Sequence, residues 1–548
     1  MTDDARPSPY DDPAYMRGPV LGAECMVASE HPLVSQTGLA VLRDGGNAFD
    51  AAIAMSALLP VVKPGRSHLG GDAYILACPA GAPAPTAICS GGMAPAAATI
   101  DLYAERTSDR ARPESPRRGA EIPNHGGLAA AVPGLVDAWS EFHARWCTMP
   151  LAGLLAPAVR YARDGFPVSR ELALTLANAK GLFTKYSALA DALYIDGRPP
   201  RMGETLRQPG LAGVIEAIGT NGRSALYEGE VAVRIARAVH DHGGVMTADD
   251  LARHHADVLE PLSVDYRGDT VYATPPNSQG LILLEELRIL EAFDLAAMGH
   301  LSPDAVHAQI EAKKLAFEDR ERYAGDPAHC GFDPRTLLAD DHIARRRADI
   351  DMRRARTSAV ATASTDTTSF VVVDASGNAC SFIQSVFAPF GSAVCVPGLG
   401  IIMNNRMRGF SLQPGHPNAL APGKRTMHTL NTYMVFRGGR PYVVGNTPGG
   451  DFQVQTNLQV LTGILDFGLD PQAAIDAPRW GHTPGALIVE PDMPAATQRE
   501  LISRGHTLRT MSRVAAPMGR AQAIVIDPET GTRIGASDTR GEGLAAGW

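Results

Sequence analysis

Thr367 stands where a small, polar run, Thr357 to Asp366, gives way at once to the apolar stretch Phe370-Val371-Val372-Val373. A threonine at a newly made chain terminus carries a nucleophilic hydroxyl. The same residue then carries an α-amine that titrates near neutrality and can take the hydroxyl proton. Cleavage between Asp366 and Thr367 would create that pair. The chemistry is acyl transfer: the hydroxyl attacks the Asp366 carbonyl in the uncut chain and water opens the ester. The same oxygen then attacks an amide substrate to form an acyl-enzyme. Taken alone, a threonine ahead of a valine-rich strand is usually just a strand starter.

Such a reaction needs donors for an oxyanion. Asn446-Thr447-Pro448-Gly449-Gly450-Asp451 offers them. Consecutive glycines after a strand let two backbone N–H groups, those of Gly449 and Gly450, turn toward one point. The helix expected from Gln453 to Phe467 adds its N-terminal dipole there. This chemistry calls for no cofactor and no metal.

The elements that must position these residues change character at the cleavage site. Before it, Cys25–Ala28 reads as a short strand and His31 to Leu42 as a helix. Ala48–Leu59 reads as a buried helix, apolar on most faces. Gly65-Arg66-Ser67-His68-Leu69-Gly70-Gly71-Asp72 is a glycine-rich loop leading into the strand Ala73–Cys78. No lysine or helix follows in phosphate-binding register, so the loop is expected to line a cleft. His68 there is either a site residue or a solvated loop histidine. Residues 133–351 read as mainly helical, and the charge-dense His307–Tyr323 is expected to be a solvated helix. After Thr367 strands dominate, among them 369–373, 379–384, 400–403, 429–435, 442–444, 487–489 and 521–526. Strands flanked by helices from both halves suit an α/β fold of four layers, αββα, with a helix-rich first portion.

Thr367-Thr368-Ser369-Phe370-Val371-Val372-Val373-Asp374 resembles the start of the small subunit in the γ-glutamyltransferase family, Thr-Thr-His-Tyr-Ser-Val-Val-Asp. Gly45-Gly46-Asn47-Ala48-Phe49-Asp50-Ala51-Ala52 matches a second signature of that family, and the resemblance runs from about Met26 to Trp548. It implies an N-terminal-nucleophile (Ntn) hydrolase fold and autocatalytic cleavage of a zymogen. A flexible tail would span 1–20. A large subunit would span 21–366, ending in a mobile linker at about 340–366, and a small subunit 367–548. The subunits would stay associated, and a homo-oligomer of the pair is compatible with the sequence. The resemblance places Ser385 where a family threonine hydrogen-bonds the nucleophile, and makes Gly449-Gly450 the oxyanion loop.

Departures from the family's pattern bear on substrate. The arginine that pairs with the glutamyl α-carboxylate falls on Gly91. The acceptors for the α-ammonium fall on Phe387, Arg406 and Gly409. The two carboxylate-holding serines fall on His428 and Thr429. Losing a bidentate arginine leaves a buried carboxylate unpaired, and Arg406 puts a cation where an amine would be bound. The expectation is a small, partly apolar pocket with one positive anchor. It would suit a small carboxylated amide, as in the family's oxamate amidohydrolases. An ordinary γ-glutamyltransferase or glutathione hydrolase is the alternative. The third reading is an unprocessed, inactive homologue serving as a binding or scaffold protein, since Ser369 replaces the family's histidine.

Composition bounds the rest. A chain of 548 residues with net charge −9 presents no basic footprint for nucleic acid. No apolar run is long enough to cross a bilayer. The first residues lack a signal pattern and the seven cysteines are scattered, which reads as cytoplasmic.

Overall fold

The computed structural model describes residues 17–107, 121–358, 360 and 366–548. Two seven-stranded antiparallel sheets form its centre. Across the first run Leu544–Gly547, Met26–Ser29, Thr368–Val373, Ala379–Ser385, Asp72–Cys78, Thr86–Ser90 and Asp257–Leu259. Across the second run Val20–Gly22, Arg533–Ser537, Gln522–Ile526, Arg440–Asn446, Thr432–Arg437, Asp269–Ala273 and Leu262–Tyr266.

Alternation along the strand that follows Thr367 explains the layering. Phe370 and Val372 point to one face, where they join a core with the helices Pro32–Arg43, Ala48–Val62, Leu135–Trp146 and Leu151–Asp164. Val371 and Val373 point to the other face, where they meet Met434, Val444 and Ile524 of the second sheet. The far side of that sheet packs on Gly280–Leu290, Pro303–Tyr323 and Phe452–Leu465. The result is the αββα sandwich expected from the sequence, with both central strands buried on both faces.

Ala48–Val62 is buried along its whole length, and Asn47 starts it with a reciprocal capping box to Asp50. The helix expected to be solvated is not. Across Pro303–Tyr323 the side chains of Glu311, Lys313, Lys314, Asp319 and Arg320 are buried. Its charges are matched within the helix, Lys314 with Glu311, and from neighbouring elements, Asp319 with Arg346 and Arg320 with Asp451. Charge density therefore reported a buried ion-pair network rather than a wet face.

Basic residues ahead of Thr367 are also engaged. Arg346 and Arg356 pair with Asp319 and Glu318, and the helix Asp340–Ala348 packs Ile343 into the core. Residues 361–365 of the expected mobile linker lie outside the described residues, as do residues 1–16 of the expected tail. Val20 already pairs with Gly535. The strand expected over 400–403 is reduced to isolated bridges, Gly70 with Met403 and Cys395 with Ile402. No helix among the described residues is long and apolar enough to cross a membrane.

Candidate active site

Thr367 lies at the edge of the strand Thr368–Val373 and is only 1% exposed. Its neighbour across the ladder is the end of Ala379–Ser385, which brings Ser385 alongside. The Thr367 hydroxyl donates to Ser385 Oγ at 3.2 Å. Ser385 in turn donates to the carbonyl oxygen of Asp366 at 2.8 Å. The backbone N–H of Phe387 donates to the same Ser385 oxygen at 2.7 Å. Ser385 therefore links the Thr367 hydroxyl to the Asp366 carbonyl. Its hydroxyl does not point at solvent.

Phe387 acts through its backbone. Its carbonyl accepts the Asp366 N–H at 2.8 Å, so one residue holds both Ser385 and Asp366. The arrangement requires φ of +81°, a left-handed conformation that a phenylalanine rarely adopts, at a cost on the order of 1–3 kcal/mol. The Arg406 guanidinium sits 4.2 Å above the Phe387 ring.

The loop expected to bind an oxyanion hangs from the end of Arg440–Asn446. Asn446 ties that end to the first sheet by donating to the carbonyls of Phe370 and Phe382. Gly449 (φ +130°) and Gly450 (φ +62°) follow, conformations only glycine takes freely. Among the described residues no protein acceptor takes either N–H, which leaves two donors for an oxyanion. Behind them Gln279 donates to the carbonyls of Gly450 at 2.9 Å and Thr429 at 2.7 Å. Arg320 donates to Gln279 Oε1 at 3.0 Å and pairs with Asp451. These buried supports come from segments far apart in sequence.

Arg66 gathers three carboxylates, that of Asp366 among them. Its Nη1 donates to Glu30 at 2.9 Å, its Nη2 contacts Glu171, and its Nε lies 3.2 Å from Asp366 Oδ1. Glu30 also accepts the Ser369 N–H at 3.0 Å. Burial pushes the Glu30 carboxyl up to about 7, against the opposing pull of Arg66 and Lys63. A cavity of about 90 Å³ is lined by Arg66, Asp366, Gly449, Pro517 and Arg520.

Of the positions expected to recognise substrate, Arg406 and His428 come together on Asp72. Asp72, directly across the ladder from Ser385, takes Arg406 Nε at 3.0 Å, His428 Nε2 at 3.1 Å and the Gly92 N–H at 2.8 Å. Burial alone would raise the Asp72 carboxyl. The His428 hydrogen bond and the Arg406 charge outweigh it and hold the carboxyl below its usual value. His428 accepts the Leu430 N–H at Nδ1, so its proton sits on Nε2. Burial and the Arg406 charge lower its pKa to about 4, and it stays neutral.

Arg406 is thus not a bare positive anchor: Asp72 compensates it. What remains for a ligand is its buried Nη2, which has no hydrogen-bond partner, and the equally orphaned hydroxyl of Thr429. Gly91 borders the same cluster. A Cβ there would lie 2.5 Å from Tyr74 Oη and 3.1 Å from His428 Cδ2. Arg425 reaches Gly91, but from elsewhere in the chain and onto its backbone carbonyl, at 3.1 Å.

His68 is not solvated. It is buried, accepts the Ile402 N–H at 3.1 Å, and is lowered to about 3 by burial. Two clusters of metal-ligating types lie away from the site, His307 with Glu311 and His506, and Glu285 with Asp319 and His342. Lys314 neutralises Glu311 and Arg346 neutralises Asp319.

The sequence reading missed Asp72, Glu30, Arg66, Gln279 and Arg320. One signal was available: an aspartate heading the apolar strand Ala73–Cys78 must find a partner once buried.

Comparison with known proteins adds to this geometry. The family model described as Gamma-glutamyltranspeptidase matches residues 34–548. The chain is 38% identical over 538 residues to the glutathione hydrolase-like YwrD proenzyme of Bacillus subtilis (strain 168), covering 97% of this chain and 100% of that one. It is 35% identical over 536 residues to the oxamate amidohydrolase proenzyme of Klebsiella pneumoniae, covering 95% and 98%. The crystal structure of cephalosporin acylase from Bacillus halodurans superposes with a TM-score of 0.90 at 36% identity, covering 100% of this chain and 99% of that one.

Proposed function

The chain belongs to the γ-glutamyltranspeptidase family of hydrolases, and from that premise we propose a self-processing N-terminal-threonine amidohydrolase that acts on a small carboxylated amide of the oxamate kind. The observation that carries this reading is the relay Thr367 Oγ–Ser385 Oγ–Asp366 carbonyl. Thr367 Oγ attacks the Asp366 carbon as its proton passes to Ser385, and Ser385 gives its own proton to the carbonyl oxygen. The C–N bond then breaks, the nitrogen takes a proton, and water hydrolyses the ester. The freed Thr367 amine serves as base in the second reaction, while Gly449 and Gly450 stabilise the oxyanion.

Substrate choice rests on crowding at Gly91. Tyr74 fills the space an arginine would need, so the α-carboxylate of a glutamyl group would lack its usual partner. The unpartnered Nη2 of Arg406 supports an anionic group on the substrate. A second reading, γ-glutamyl hydrolysis, is favoured by Asp72 beside Arg406, since adjacent opposite charges can take both ends of a zwitterion.

The test is amide hydrolysis by protein whose mass shows a cut after Asp366, with oxamate and a γ-glutamyl anilide run side by side and Thr367→Ala as blank. Turnover of oxamate alone is expected. Strong turnover of the anilide would replace the first reading with the second. A full-length chain that never matures would leave only a binding role.

A further inference from the structure

In the uncut chain Arg66 already holds a carboxylate, and that carboxylate belongs to the acyl group Thr367 attacks. Its Nε is 3.2 Å from Asp366 Oδ1, and the Asp366 carbonyl is the one polarised by Ser385. Both groups line one cavity with Gly449 of the oxyanion loop. The guanidinium is held firmly: Glu30 and Glu171 occupy its other two nitrogens, and its own carbonyl accepts the Val386 N–H at 3.1 Å beside Ser385.

Thr367 Oγ is the attacking atom in self-cleavage and in substrate turnover alike. The acyl group of a substrate must therefore enter on the side that Asp366 occupies before the cut. Asp366 presents a carbonyl, two carbons and a carboxylate, the outline of a succinic acid monoamide. We propose that Arg66 is the residue that binds the carboxylate of the acyl donor, that Asp366 is its resident occupant in the uncut chain, and that monoamides of short dicarboxylic acids are the substrate class. The inference rests on the amidohydrolase reading and moves the anion site from Arg406 to Arg66.

Cleavage empties the site with atoms balanced. Hydrolysis of the Thr367 ester gives Asp366 a free α-carboxylate and returns the hydroxyl to Thr367. Asp366 is then joined only to residues before it and can withdraw from the Nε edge. A carboxylate three bonds from the scissile carbonyl carbon can replace it.

The experiment compares succinamate with butyramide, which carries a methyl in place of the carboxylate, on cleaved wild-type protein. A preference for succinamate of about 10- to 100-fold in kcat/KM is expected, the range for a hydrogen bond to a charged group. Arg66→Lys keeps the charge and loses the planar fork, so its KM for succinamate rises about tenfold with kcat little changed. Because Arg66 also contacts the cleavage site, a variant that fails to mature is replaced by an inhibition assay on wild type. Succinate should compete with substrate and butyrate should not.

Equal turnover of the two amides overturns the proposal, as does absence of succinate inhibition. So does a KM that moves in Arg406→Lys and stays fixed in cleaved Arg66→Lys. A cleaved, active enzyme indifferent to the carboxylate removes this inference alone. A chain that is never cut, or a Thr367→Ala variant as active as wild type, removes the amidohydrolase reading with it.

Discussion

Ser385→Ala should slow self-cleavage far more than it harms the fold. The substitution deletes one oxygen that accepts from Thr367 at 3.2 Å and from the Phe387 N–H at 2.7 Å, and donates to the scissile carbonyl at 2.8 Å. Removing a donor aimed at a developing oxyanion costs roughly 10²- to 10³-fold in rate, or about 2.7–4 kcal/mol. The stranded Phe387 N–H costs a further ~1–3 kcal/mol of stability, because it is buried. A lower melting temperature should therefore accompany a much slower cut. The assay is a time course of intact mass after rapid purification, with circular dichroism to confirm the fold. Ser385→Thr restores the hydroxyl at the same Cβ and is expected to recover most of the rate. Cleavage of Ser385→Ala at the wild-type rate would refute the relay. So would a folded Ser385→Thr chain as slow as the alanine variant.

Gly91→Arg should not confer γ-glutamyl specificity, because its Cβ already collides with Tyr74 Oη. Melting should drop by an amount equivalent to about 1–3 kcal/mol, and measurable γ-glutamyl turnover in that variant would disprove the crowding argument. Gln279→Ala removes the donor to the carbonyls of Gly450 and Thr429. It is expected to lower kcat about tenfold with KM nearly constant, on the order of one lost hydrogen bond. A change confined to KM would count against a role in holding the oxyanion loop. Acid should destabilise the protein through its buried histidines. Burial lowers His31, His68 and His254 from 6.5 to about 3, and lowers His428 to about 4. Between those values and 6.5 the unfolded chain binds more protons than the folded one. Stability is therefore lost as pH falls from 6.5 toward 4, by up to about 1.4 kcal/mol per unit for each histidine. Melting temperatures flat from pH 7 to 4.5 would contradict this.

Parts of the site set by local pattern were legible in the sequence. A polar run meeting a valine-rich strand put Thr367 forward as a candidate, paired glycines after a strand did the same for Gly449 and Gly450, and the family resemblance strengthened both; the strand itself was expected at 369–373 and runs Thr368–Val373. What was hidden depends on burial and on long-range pairing. Arg66, Glu30 and Asp366 lie in three separate segments and define each other only when folded. Arg406 looks like an anchor until Asp72 is placed beside it. The charges of Pro303–Tyr323 imitate a solvated helix because local spacing does not reveal that partners such as Arg346 and Asp451 arrive from outside that helix.

The interleaving of the first sheet carries a consequence for how the protein can be made and unmade. Met26–Ser29, from ahead of the cut, is hydrogen-bonded on one side to Thr368–Val373 and on the other to Leu544–Gly547, both from beyond it. While the chain is continuous, unfolding and refolding are first-order events of a single molecule. If the chain is cut after Asp366, regaining the sheet requires two molecules to meet, so recovery becomes second-order and depends on protein concentration. The mature form would then be sustained by a slow unfolding rate rather than by a reversible equilibrium. A chain that cut itself there would have had one opportunity to fold as a single molecule, and the cut would close that route.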